Sequence, residues 1–113
     1  MDNFKIISEV VTKPTGTDGV RNSKWSDWSS ITSPGDYIID TSSLKVKWIS
    51  DAGSENKYEV RYKDYIRIPN SLTSHPKTVL FRCFARGPRG FSSGRGWSKI
   101  ELTGKFKKLI SIN

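Results

Sequence analysis

Apolar residues in this chain alternate with polar ones, and that period decides the fold class. Leu44, Val46 and Trp48 alternate with Lys45 and Lys47, and Tyr58, Val60 and Tyr62 with Glu59, Arg61 and Lys63. Successive side chains of a β-strand point to opposite faces, so each run puts an apolar face inward and a charged face outward. Over residues 78–86 the same rule sends Val79, Phe81, Cys83 and Ala85 inward and Leu80, Arg82, Phe84 and Arg86 outward. Further short strands are predicted over 4–11, 37–40, 65–68, 97–102 and 106–112. Clusters rich in Pro, Gly, Ser and Asn separate them, at 13–19, 33–36, 51–54, 69–76 and 87–90. Seven or eight short strands at this spacing predict an all-β antiparallel sandwich or barrel, with one face of each sheet in the core and one in water. At 113 residues the chain is read as a single domain, 1–113, that buries enough surface to fold without staples.

The residue inventory argues against several functional classes. Cys83 is the only cysteine, so no disulfide forms within the chain. Its alternation with Phe81 and Ala85 reads as a small core hydrophobe rather than a nucleophile. The single histidine, His75, sits between Ser74 and Pro76 with no cysteine, aspartate or glutamate at ligand spacing, which predicts a solvated turn and no metal. The glycine-rich run 87–96 lacks the Lys-Ser/Thr ending and the helix of a phosphate loop, so it reads as a loop between strands. Together these residues predict no catalytic site, cofactor or small-molecule substrate. The N-terminal residues lack the basic and long apolar stretches of a secretory signal, and no window reaches the roughly 18 apolar residues of a membrane span. The expectation is a protein made without a leader and not bound to membrane.

The charge is uneven. The formal net charge is +8, and the segment 82–108 carries Arg82, Arg86, Arg89, Arg95, Lys99, Lys105, Lys107 and Lys108 against Glu101 alone. Nearly all the excess positive charge therefore belongs to the last third, which points to an anionic partner: nucleic acid, an acidic glycan or an acidic protein surface.

A second feature is Trp25-Ser26-Asp27-Trp28-Ser29. The string resembles one found in class I cytokine receptors and, in longer form, in thrombospondin type 1 repeats. The latter depend on several disulfides, which a single cysteine excludes. In the receptors the string precedes the last strand, where its tryptophans interleave with arginines; the corresponding place here holds only Gly96-Trp97-Ser98. The physics still transfers, because exposed tryptophans attract guanidinium groups. One reading is a Trp–Arg ladder joining Trp25 or Trp28 to Arg82 and Arg86, or to Arg61 and Lys63. The other is that the tryptophans face outward as a contact platform.

From residue 43 to about 103 the chain resembles a fibronectin type III module. Residues 43–50, SLKVKWIS, look like its second strand with Trp48 as the core tryptophan, and 57–64, KYEVRYKD, look like its third. Residues 79–102 are similar to the sixth strand, a glycine-rich loop and a final strand opening with Trp97-Ser98. Val79 stands where the family carries a corner tyrosine. Residues 12–41 then form an inserted hairpin or loop, and 105–112 a C-terminal strand. The resemblance implies a variant immunoglobulin-like (fibronectin type III-like) β-sandwich of seven to eight strands that recognises surfaces without catalysis. Modules of this kind occur as head decoration, neck or tail components of phage particles. The expectation is therefore a virion protein, assembled in the host cytoplasm, that docks on capsid or tail subunits. The candidate contact residues are Trp25, Trp28, Arg86, Arg89, Phe91, Arg95, Lys105, Lys107 and Lys108. Two alternatives stand beside it. One is a nucleic-acid-binding β-domain stacking bases on Phe84, Phe91, Trp97 and Phe106. The other is an adhesion module using Trp25, Trp28 and Tyr37 on sugar rings.

Overall fold

The computed structural model describes residues 3–12, 22–67, 72–87 and 95–108. They form seven strands: β1 Asn3–Val11, β2 Ser23–Trp25, β3 Ser29–Thr32, β4 Tyr37–Ala52, β5 Glu55–Arg67, β6 Ser74–Arg86 and β7 Trp97–Lys108. There is no helix among the described residues, and every strand pairing is antiparallel. The all-β expectation holds. Sheet one has the order β1-β7-β4. In sheet two, β6 is central: β5 pairs along its whole length, so β2 and β3 share its other edge.

The predicted strand ends at 41–43, 64 and 103–105 are not ends. β4 continues past a register shift between Asp40 and Lys45, β5 passes through Asp64 at φ 60°, and β7 runs on through Gly104. At the break in β4, side chains take over from the ladder. Ser42 donates to Asp40 Oδ1 from both its amide (3.2 Å) and its hydroxyl (2.7 Å). Ser43 Oγ donates to the Asp40 carbonyl at 2.6 Å and accepts from the Lys105 amide at 2.8 Å. Polar residues that read as a turn here sustain a bulged strand instead. The C-terminal strand expected at 105–112 is, as far as Lys108, the end of β7.

The core lies between the sheets. Val79, Phe81, Cys83 and Ala85 of β6 face Ile100 and Leu102 of β7, all fully buried, and Phe4, Val10 and Ile39 join them. Half-buried Ile6, Ile31, Leu44, Val46, Trp48, Val60, Tyr62 and Phe106 close the margin. The inward and outward sets expected for residues 78–86 are those observed.

A polar seam crosses this core. Ser98 Oγ of β7 donates to the Phe84 carbonyl of β6 at 2.6 Å and accepts from Asn56 Nδ2 at 2.6 Å. Ser8 of β1 bonds Ser26, whose Oγ accepts from the Cys83 amide at 3.0 Å. The Cys83 thiol lies within this seam, and burial raises its pKa, which suits a packing role. One pairing separates the fold from the family it resembles. β7 lies between β1 and β4, whereas the immunoglobulin arrangement seats the last strand beside the sixth.

β4 passes to β5 through a tight turn at Gly53 and Ser54. Ser54 bonds the Arg86 carbonyl through its amide (2.9 Å) and the Gly87 carbonyl through its hydroxyl (2.8 Å). Gly53 has φ 120°, and a Cβ there would lie 2.0 Å from the Arg86 carbonyl oxygen. Both the backbone angle and the contact demand glycine. Gly53→Ala is therefore expected to cost roughly 1–3 kcal/mol or more, read as a lowered midpoint in urea denaturation, while Gly35→Ala, with open space around it, costs less.

Candidate binding surfaces

The outer face of sheet two carries the Trp-Ser-Asp-Trp-Ser segment. Trp25 pairs with Phe84 and Ser29 with Phe81, so residues 26–28 lie opposite only 82 and 83. That one extra residue decides where the rings go. In a regular strand Trp25 and Trp28, three apart, would point to opposite faces; the bulge brings both to the same one. The Arg82 guanidinium lies 4.2 Å from the Trp25 ring and 4.4 Å from the Trp28 ring, and Arg61 lies 5.1 Å from Trp28. Trp25 also meets Phe84 at 5.2 Å between centroids. Lys57 stands 4.7 Å and Arg86 5.6 Å from the Phe84 ring. Phe84 therefore points outward, as its position predicts, yet is buried by this cover.

Glu59 locks the array. Arg82 reaches its Oε1 through Nε and Nη2, each at 2.8 Å. Arg61 reaches Oε2 through Nε at 3.0 Å and Nη2 at 2.7 Å. Glu55 likewise holds Lys57 and Arg86, both at 3.3 Å. The Trp–Arg ladder is thus present and draws on both arginine sets, Arg82 from β6 and Arg61 from β5. Trp25 and Trp28 are half-buried, and their contacts brace the edge of sheet two.

The outer face of sheet one is different. Cross-strand registers lay down rows Lys5–Thr103–Lys45, Ile7–Glu101–Lys47, Glu9–Lys99–Ser50 and Val11–Trp97–Ala52, with Asn3–Lys105–Asp40 at the far end. Alternation along β7 puts Lys107 on this face too. Six lysines from three strands thus meet Glu9, Glu101 and Asp40. Glu101 takes Lys5 at 3.7 Å and Glu9 takes Lys99 at 3.5 Å. Among the described residues, Lys45, Lys47, Lys105 and Lys107 have no ion-pair partner. The face ends in an apolar pair, Trp97 and Val11, 41% and 44% exposed and directly in register, with Ile7 also exposed.

The nine candidate contact residues do not form one patch. Trp25, Trp28 and Arg86 lie on the outer face of sheet two, and Lys105 and Lys107 on that of sheet one, across the core. Lys108 ends β7, 4.0 Å from Asp36. Arg95 is exposed just before β7, and Arg89 and Phe91 lie outside the described residues. The aromatic set is likewise divided: Phe84 is buried under Trp25, Phe106 stacks on Phe4 at 5.0 Å, and Trp97 is on the lysine face. Tyr37 is half-buried, its carbonyl accepting from Ser33 Oγ and Lys77 Nζ. His75 is half-buried within β6 rather than in a turn, paired with Ile66. No three His, Cys, Asp or Glu side chains gather at metal-binding distance among the described residues. Sequence reading missed Lys5, Lys45 and Lys47 as members of a basic surface. Their outward direction was legible, but not that their strands flank β7.

Hydrogen bonds from Arg61 and then Arg82 hold the Glu59 carboxyl below the usual carboxylate range. A carboxylate whose folded pKa is depressed stabilises the fold fully above its unfolded value, about 4.3, and that contribution is lost as pH falls through the folded value. Urea midpoints measured from about pH 6 down to about pH 3 are expected to fall less steeply in Glu59→Gln than in the natural protein. A double-mutant cycle on Trp28→Ala and Arg82→Ala should return a coupling of about 0.5–2 kcal/mol. Additive effects would mean that the ring and the guanidinium do not support each other.

No protein-family model, no curated protein and no solved structure matches this chain.

Proposed function

We propose that this protein is a non-catalytic docking module that seats the outer face of sheet one on an acidic protein surface, as an accessory component of a phage virion. The observation that carries this reading is the composition of that face. Six lysines converge from β1, β4 and β7, four of them without an ion-pair partner among the described residues, on a face that ends in the exposed Trp97–Val11 pair, with Lys99 in the row beside it. Exposed tryptophans beside apolar neighbours are the residues that anchor protein interfaces, while surrounding charges steer the approach. A base-stacking surface would need several rings among the lysines, and Trp97 is the aromatic ring that the cross-strand rows place there. Protein is therefore favoured over nucleic acid.

The immunoglobulin-like kinship belongs to the same proposal. The face-to-face sheets and the β5–β6 pairing support it, and the seating of β7 between β1 and β4 makes the module a variant. A buried, unpaired Cys83 suits assembly in a reducing cytoplasm. Head decoration, neck and tail positions all fit an accessory subunit of this kind.

Co-sedimentation with assembled phage particles tests the reading. The protein is expected to travel with particles. Trp97→Ala should weaken association by about 30-fold, the scale of one interface anchor. Lys47→Glu should weaken it further at low salt than at high salt. Failure to associate with particles would remove the virion assignment. Tight, salt-sensitive DNA or RNA binding indifferent to Trp97→Ala would replace it with the nucleic-acid reading.

A further inference from the structure

The lysine face contains a cavity of about 480 Å³ at the end away from Trp97, where the register of β4 shifts opposite Gly104. We infer that this cavity is a binding site for a phosphate or sulfate ester, a ligand class distinct from the protein surface proposed above.

Lys5, Thr103 and Lys45 form one cross-strand row, so two ammonium-bearing chains flank a threonine hydroxyl across neighbouring strands about 4.8 Å apart. Lys105 lies two residues further along β7, on the same face and about 7 Å away. Asn3, opposite Lys105, adds an amide, while Ser43 lines the wall with its hydroxyl already engaged by Asp40 and Lys105. Phe4 and Gly104 complete the lining. A Cβ at Gly104 would meet Leu44 Cδ2 at 2.6 Å and Phe4 Cζ at 2.7 Å, so the chain is drawn down onto the core there.

Three features give the ligand its chemistry. First, none of the residues lining the cavity is acidic, while three are lysines. The nearest carboxylate in register, Asp40, takes two hydrogen bonds from Ser42 on Oδ1 and forms no ion pair with Lys105. Second, Lys45 and Lys105 have no ion-pair partner among the described residues. Lys5 reaches Glu101 at 3.7 Å with its side chain 59% exposed, a weak pair that leaves it free to turn. Third, three ammonium groups and a hydroxyl approach from three neighbouring strands, a spread that suits oxygens arranged tetrahedrally better than the two coplanar oxygens of a carboxylate. The oxygens of a tetrahedral phosphate or sulfate match them, and lysine binds such groups as a point charge. The volume exceeds that of the bare ion and falls within the roughly 300–1,000 Å³ of small-ligand pockets. It therefore has room for the body of an ester such as a sugar.

The site is tested by following backbone amide resonances while the protein is titrated with inorganic phosphate, inorganic sulfate, glucose 6-phosphate and glucose 6-sulfate, with acetate as control. Saturable shifts are expected at residues 3–5, 43–45 and 103–105, with the esters binding at least as tightly as the bare ions. The preference between the two esters identifies whether phosphate or sulfate is the natural group. Lys45→Ala and Lys105→Ala should each weaken binding about tenfold, and Thr103→Val severalfold. All three positions are outward on the sheet, so the variants' amide spectra should otherwise match the natural protein. Trp97→Ala, which tests the docking reading, should leave ester binding unchanged. The inference is overturned if no oxyanion gives saturable shifts, if acetate competes equally, or if neither lysine variant changes the affinity.

Discussion

Everything in this fold hangs on the contact between β6 and β7. Each is the central strand of its sheet, paired on both edges, and their inner faces hold the fully buried side chains Val79, Phe81, Cys83, Ala85, Ile100 and Leu102. Burying a residue as large as Phe81 contributes about 1.5–3 kcal/mol. The Ser98–Phe84 hydrogen bond fixes the relative seating of the two strands, which hydrophobic contact alone leaves undirected. Once these strands are placed, the outward residues of each become the centre line of an outer face. Arg82 and Phe84 then sit in the middle of one surface, and Lys99, Glu101 and Lys105 in the middle of the other.

Strand alternation made much of this legible. The faces of residues 78–86, the core role of Cys83 and the all-β class follow from a period of two, which is a local property. Three things do not follow from it. The run Asp40-Thr41-Ser42-Ser43 has turn composition, but its hydroxyls can replace ladder bonds, and composition does not distinguish the two outcomes. The face reached by Trp28 depends on one extra residue opposite Arg82 and Cys83, which is defined only once β2 and β3 are known to pair with β6. The lysine face depends on β1 pairing with β7 across most of the chain length, as in Lys5↔Thr103. Such non-local pairing has no signature in either strand taken alone.

Charge shows the same divide between chain order and space. The excess positive charge of 82–108 is concentrated in sequence, yet alternation and sheet assignment split it between opposite faces. Within that segment the split also separates Arg82 and Arg86 from Lys99, Lys105 and Lys107, although Lys57 of β5 shares the sheet-two face. Arg61, Arg82 and Arg86 are on sheet two, where their planar guanidinium groups lie against rings and Arg61 and Arg82 each take Glu59 through two nitrogens. Sheet one carries lysines, whose compact ammonium groups stay hydrated and keep little fixed geometry. Arg61, Arg82 and Lys57 hold the protein's own edge, and the lysines of sheet one are those proposed above to meet an anion.

That sorting gives the Trp-Ser-Asp-Trp-Ser segment its role. β2 and β3 together offer β6 only a short, interrupted edge, held by seven paired residues. An edge this short is easily frayed, and fraying would expose Phe84 and the Cys83 end of the core. The bulge turns both tryptophans onto the outer face, where Arg82 spans them and Glu59 anchors Arg82 to β5. The two edges of sheet two are thereby tied across its central strand by side chains alone. A sheet stiffened on one face in this way can present its partner sheet, through the shared core, as a rigid surface. Rigidity lowers the ordering cost of binding, so under the docking role proposed above the tryptophans would support recognition by the lysine face without touching what it recognises.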